Sequence, residues 1–151
     1  MAQHPKQRTS RRTFKIILAM IFALLVVGRV PIQMPIAFTT SFVPFKVETP
    51  SYLPLEIDEQ YSHLLNLNQV RLVYKNETES ITVWATSEMG WNHVDSWDEK
   101  VMIRNGLNGH YTEFDDMKMI SWQQENVEYA VDYTGTQLSK DDLLKIANSI
   151  Q

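Results

Sequence analysis

The densest group of chemically capable side chains is the stretch Trp91-Asn92-His93-Val94-Asp95-Ser96-Trp97-Asp98-Glu99. Indole faces stack on sugar rings and on peptide planes. Trp91, His93 and Trp97 are therefore the candidate ligand-binding residues, on a loop that would take a peptide or glycan. His93, Asp95 and Asp98 also offer nitrogen and oxygen donors to a cation. One histidine among carboxylates lacks the spacing of known metal motifs, however, and no metal and no cofactor is expected. A structural role fits the same residues: Trp91 and Trp97 fold a short connection onto a sheet while the acids face water. Trp84 and Trp122 bring the tryptophans to four. Trp122 is expected in the core or beneath the C-terminal helix.

No catalytic constellation stands beside this loop. A nucleophilic serine or threonine needs a positioned base, and His63, His93 and His110 are scattered among polar residues. Neither Gly-x-Ser-x-Gly nor Ser-x-x-Lys is near them. The acidic pairs Asp115-Asp116 and Asp141-Asp142 fall in a turn and at a helix start, where acids are ordinary. Asn76-Glu77-Thr78 matches a glycosylation acceptor but reads as a polar hairpin, and Gly106 and Gly109 serve a turn. With no cysteine in the chain, thiolate metal sites, cysteine nucleophiles and disulfides are excluded. An enzyme is not expected.

Placement is written more clearly than chemistry. Residues 1–15 carry Lys6, Arg8, Arg11, Arg12 and Lys15 and no acid, a charge of +5. The remainder holds nine basic residues against eighteen acids, or −9, which together give the net −4. An acidic domain is repelled by phosphate, so nucleic acid is not an expected partner. Behind the basic cluster, Ile16 to Val27 reads IILAMIFALLVV. Twelve apolar residues alone are short for a span, which needs about 20. If Thr13 to Val30 is helical it reaches roughly 27 Å at about 1.5 Å per residue, close to the hydrocarbon thickness. Lys15 and Arg29 then snorkel at the two ends, and Pro31 stops the helix at Val30. The membrane-targeting residues are thus Arg11, Arg12, Lys15 and Arg29. The positive flank puts the N-terminus in the cytoplasm and all that follows residue 30 outside, as a single-pass protein of the cell membrane. Ser10-Arg11-Arg12-Thr13-Phe14-Lys15 also resembles a twin-arginine export signal, although a topology-setting flank explains it. Small residues in an A-x-A-like pattern are poorly provided. Retention as an anchor is therefore expected, and cleavage would secrete the domain.

The elements that would position the loop follow from hydrophobic period. Residues 1–12 form a cytoplasmic basic tail and 13–30 the transmembrane or signal segment. Residues 31–49 form a Pro-rich linker with an edge strand at Phe42–Glu48, and 50–151 form the domain. Five of the six prolines lie between Pro31 and Pro54. Val70–Tyr74 and Ile81–Ala85 predict a hairpin across Lys75–Ser80. Val101–Arg104 predicts a strand ended by Asn105-Gly106-Leu107-Asn108-Gly109. His110–Phe114, Met117–Gln123 and Val127–Tyr133 follow, separated by Asp115-Asp116 and Glu125-Asn126. In the last run Val127, Tyr129, Val131 and Tyr133 share one face, and Glu128 and Asp132 point to the other, wet one. Ser139 caps a C-terminal helix with Asp141 and Asp142 in its first turn, and Leu143, Ala147 and Ile150 form its apolar stripe. Residues 55–69 read equally as a short helix or a strand with loop. The fold class is α+β: an N-terminal transmembrane or signal helix, then a curved antiparallel sheet packed against a C-terminal helix.

The order of these pieces carries a resemblance. Pro50-Ser51-Tyr52-Leu53-Pro54, Val70–Tyr74, Val101-Met102-Ile103-Arg104-Asn105-Gly106, Ile120-Ser121-Trp122, Val127-Glu128-Tyr129 and Leu138–Ile150 together resemble an uncharacterised extracytoplasmic domain family of spore-forming Gram-positive bacteria. In that family the domain often follows a transmembrane helix, including in anti-sigma-factor-like proteins. The resemblance covers roughly residues 45–151, and a more distant likeness is to the curved-sheet lipoprotein carriers. This chain has Pro54-Leu55-Glu56 where the family has Pro-Glu-Gly, and its cytoplasmic side is too short for a sigma-binding module. What the resemblance implies is fold and location. Two functions remain open: a membrane-tethered binding or sensor module for a peptide, lipid or cell-wall ligand, or a structural or protein-interaction component of the envelope or spore. The first should show an apolar cavity between sheet and helix, the second a solid interior with an exposed apolar patch.

Overall fold

The computed structural model describes residues 32–92, 94 and 96–150. The expected span at 13–30 lies outside the described residues, as do Arg11, Arg12, Lys15, Arg29 and His93. No helix among the described residues is long and apolar enough to cross a membrane.

Seven strands form one antiparallel sheet: β1 (Glu59–Asn66), β2 (Gln69–Lys75), β3 (Ser80–Thr86), β4 (Glu99–Ile103), β5 (Leu107–Phe114), β6 (Met117–Gln124) and β7 (Val127–Thr134). Among the described residues two helices complete it, α1 (Ile36–Phe42) and α2 (Lys140–Ser149), so the class is α+β. Local chemistry makes the turns. Asn76 Oδ1 accepts from the Thr78 and Glu79 amides, an Asx turn between β2 and β3. Asp115 and Glu125 take positive φ in the two-residue connections that flank β6. The strand order is β1-β2-β3-β7-β6-β5-β4, so the last strand in sequence lies in the middle. It joins the meander β1–β3 to the meander β4–β6, pairing Val83 with Val131 on one side and Ile120 with Val131 on the other.

Period-2 alternation divides the sheet into two faces. On the first, Val70, Leu72, Ile81, Val83, Val131 and Tyr133 are essentially sealed from water, with Ile120, Trp122 and Tyr129 beside them. Helix α2 lays Leu143, Ile146 and Ala147 against β6, β7 and β4. Each buried leucine, isoleucine or valine stabilises the fold by about 1.5–3 kcal/mol relative to exposure. Ser139 accepts from the Asp142 amide and the Asp142 carboxylate accepts from the Ser139 amide, so the expected capping box is present. Trp122 is in the core, stacked on Tyr129.

Two local expectations differ from the structure. Phe42–Glu48 is not an edge strand: Ile36–Phe42 is helical, and the chain beyond it runs extended over the first face. The cause is tertiary. Thr39, fully buried, hydrogen-bonds the Ser62 hydroxyl (2.6 Å), and Met34 pairs with Ser62 through backbone bonds of 2.8 and 2.9 Å. The turn at 105–109 is also shorter than expected. A single 3-10 turn, Arg104–Gly106, reverses the chain with Asn105 and Gly106 at positive φ, and Leu107 already pairs with Ile103. Residues 55–69, left between helix and strand, supply β1.

Candidate functional site

Among the described residues, no helix lies on the second face. Across the register His63, Arg71, Trp84, Ala130, Ser121 and His110 stand in one row. Ala130 and Ser121 are small, so the row is low in the middle and high at both ends. The chain between β3 and β4 lies in that trench. Trp91 packs on Trp84 with ring centroids 5.0 Å apart, and Trp97 packs on His110 at 5.6 Å. Between them Asn92 Nδ2 donates to Ser121 Oγ and to Glu128 Oε1, both at 2.8 Å, and the Gly90 amide donates to Glu128 Oε2 at 2.6 Å. Asp98 Oδ2 accepts from Thr112 Oγ1 and the Glu113 amide, fixing the far end.

The two tryptophans singled out by sequence therefore do not meet. Trp91 stands over β3 and Trp97 over β5, three strand spacings apart, or about 14 Å. They hold a connection down at its two ends rather than forming a clamp around one ring. Asp98 is engaged by the β5 backbone, and no group of three metal-ligating side chains occurs among the described residues.

Beside this row sits a residue that sequence placed in water. Trp84 Nε1 donates to Asp132 Oδ2 at 2.7 Å, and the Arg71 guanidinium lies 5.5 Å from the Trp84 ring centroid. Burial pushes the Asp132 carboxyl up to about 6, only partly opposed by the indole hydrogen bond. Asp132 Oδ1, Arg71 Nε, Trp91 Nε1 and His63 Nδ1 are buried without a hydrogen-bond partner among the described residues. Burial lowers the His63 pKa, and Arg71 lowers it further, against a hydrogen bond that the imidazole donates to the Ile32 backbone carbonyl. Alternation gave the face of Asp132 correctly. That the face is covered depends on a connection far away in sequence.

A second place is concave. Between α1, the extended residues 47–53 and strands β1 and β2 lies a cavity of about 720 Å³. Ile36, Ala37, Val47, Leu53 and Tyr74 give it apolar walls, and Thr40, Thr49 and Gln60 give it polar points. Its volume falls within the 300–1,000 Å³ of small-molecule sites. Sequence reasoning missed it because its roof, α1, was read as linker.

No curated protein matches the chain, and neither does any solved structure. One family model does, over residues 48–150, from the extended stretch under α1 to the end of α2. By that match the chain belongs to the family described as a domain of unknown function, DUF4367.

Proposed function

We propose that the chain is a membrane-tethered extracytoplasmic binding module, without catalysis, whose ligand occupies the cavity beneath α1. The observation that carries this is the cavity itself: a concave space of ligand size, open on one side, in which apolar walls alternate with the polar side chains Thr40, Thr49 and Gln60. The charge step between residues 1–15 and the rest, across the apolar run 16–27, supports the tether and its orientation. The ligand class that fits is apolar or amphipathic: a lipid chain or the apolar side chains of a peptide. Trp91 and Trp97 have packing roles that need no ligand.

The test is binding of an environment-sensitive apolar fluorophore to the chain and to its Ala37→Phe variant, which fills the cavity from α1. Binding should fall at least tenfold while far-ultraviolet circular dichroism is unchanged. Unchanged binding in a folded variant refutes the site. One observation favours the alternative of a docking component. Met102 on edge strand β4 is 73% exposed, beside backbone groups able to extend the sheet. A Met102→Lys variant that loses a protein partner while retaining the fluorophore would support that reading.

A further inference from the structure

The outward side of α1 does not resemble the surface of a water-soluble helix. Phe38 and Phe42 are 50% and 55% exposed, with ring centroids 4.5 Å apart, and Ile32 just before them is 58% exposed. The helix cannot roll to hide them. Thr39 is fully buried and hydrogen-bonded to Ser62, and Ile36, Ala37 and Thr40 line the cavity, so the remaining side faces outward. From Val30 to Phe45 there is no charged residue. A solvated helix ordinarily carries charge on its outer face, whereas an exposed, charge-free aromatic patch marks an interaction surface.

We propose that this face of α1 rests in the headgroup region of the chain's own membrane. The proposal rests on the reading of residues 13–30 as a membrane span. Two further facts commit the patch to lipid. The expected span ends at Val30, and only residues 31–35 separate it from Ile36, a tether of at most about 20 Å when fully extended. The rest of the domain is acidic, so approach to an anionic bilayer is repelled elsewhere and tolerated at this neutral patch. Phenylalanine is among the side chains that interfacial helices bury in the boundary between headgroup and acyl chain.

The chain contains no cysteine, so one engineered thiol reports one position. The full chain is reconstituted in vesicles of phosphatidylethanolamine and phosphatidylglycerol. An NBD fluorophore is attached at Ser41→Cys on α1 or at Glu77→Cys in the β2–β3 turn. The Ser41→Cys label should be blue-shifted, quenched by lipid-borne nitroxide and shielded at least threefold from iodide relative to the Glu77→Cys label. Adding Phe38→Ser and Phe42→Ser should abolish that shielding while the chain still floats with the vesicles. A chain that floats with the Ser41→Cys label as open to iodide as the Glu77→Cys label overturns the proposal and leaves the span standing. A chain that does not float overturns both. Shielding that follows protein concentration rather than lipid nitroxide overturns the proposal in favour of a second copy of the chain.

Discussion

Replacing Glu79 by alanine should cost the domain about 3–5 kcal/mol. Glu79 sits at the end of the β2–β3 turn, 5% exposed, although the sequence there reads as an ordinary polar hairpin. Its Oε1 accepts from the Tyr133 hydroxyl, the Thr136 amide (3.2 Å) and the Gln137 amide (3.0 Å). Burial pushes its carboxyl up, but these hydrogen bonds outweigh burial and hold it below the usual carboxylate range. The Gln137 amide has a second acceptor in the Tyr133 hydroxyl at 2.8 Å, so truncation orphans two donors. Hydrogen bonds to a charged group contribute about 1.5–3 kcal/mol each, which gives the stated range after some water enters. Against a whole stability of about 5–15 kcal/mol this is a large fraction. Urea unfolding of residues 32–151, followed by tryptophan fluorescence, should show the midpoint falling by about 2 M at an m-value of about 2 kcal/mol/M. A loss below about 1 kcal/mol would refute the account. The same locus makes a sharper demand. A Cβ at Gly135, which has φ +149°, would come within 2.5 Å of the Tyr133 hydroxyl and 2.7 Å of Glu79 Oε1. Gly135→Ala should therefore destabilise the wild-type chain more than the Glu79→Ala chain, a non-additive pair.

Two other outcomes are expected. Asp132 has a folded pKa near 6, above its unfolded value of about 3.9, so the native state binds its proton more readily. Its stabilising contribution is full below pH of about 4 and lost as pH rises through about 6. Asp132→Asn should raise stability at pH 7.5 by about 2 kcal/mol and flatten the pH dependence between those limits, as read by thermal melts across pH. Ser139→Ala removes the hydroxyl half of the capping box and should cost about 1 kcal/mol in the same melts, with the Asp142→Ala, Ser139→Ala double variant losing little more.

Much of the sheet was legible because its signals are local. The β2–β3 hairpin announces itself through Val70, Leu72, Ile81 and Val83 around a polar turn, and α2 through Ser139 and its apolar stripe. What was not legible depends on partners distant in sequence. Helix α1 carries two phenylalanines on its exposed side and one buried threonine, a pattern opposite to an amphipathic helix, and only Ser62 explains it. Leu107 to Gly109 resembles a turn because glycine and asparagine dominate it, yet Ile103 and Ser121 pack within 3.3 Å of where a Cβ at Gly109 would lie. The tryptophan loop was read with two roles open, and packing against Trp84 and His110 is what the geometry displays. The burial of Asp132 and the cavity under α1 both required knowing what covers each face.

The central position of β7 has a consequence for how the chain is made. Neither meander can join the other before residues 127–134 are available, because β3 and β6 are bridged by that strand alone. Strands β1–β3 therefore leave the ribosome with one edge of hydrophobic sheet unpaired, waiting on residues some forty positions later in the sequence. Closing a loop of that length carries an entropic penalty that grows only slowly with length. The delay rather than the energy is what exposes the chain. Completion of the sheet therefore waits on residues 127–134, whatever has already folded before them.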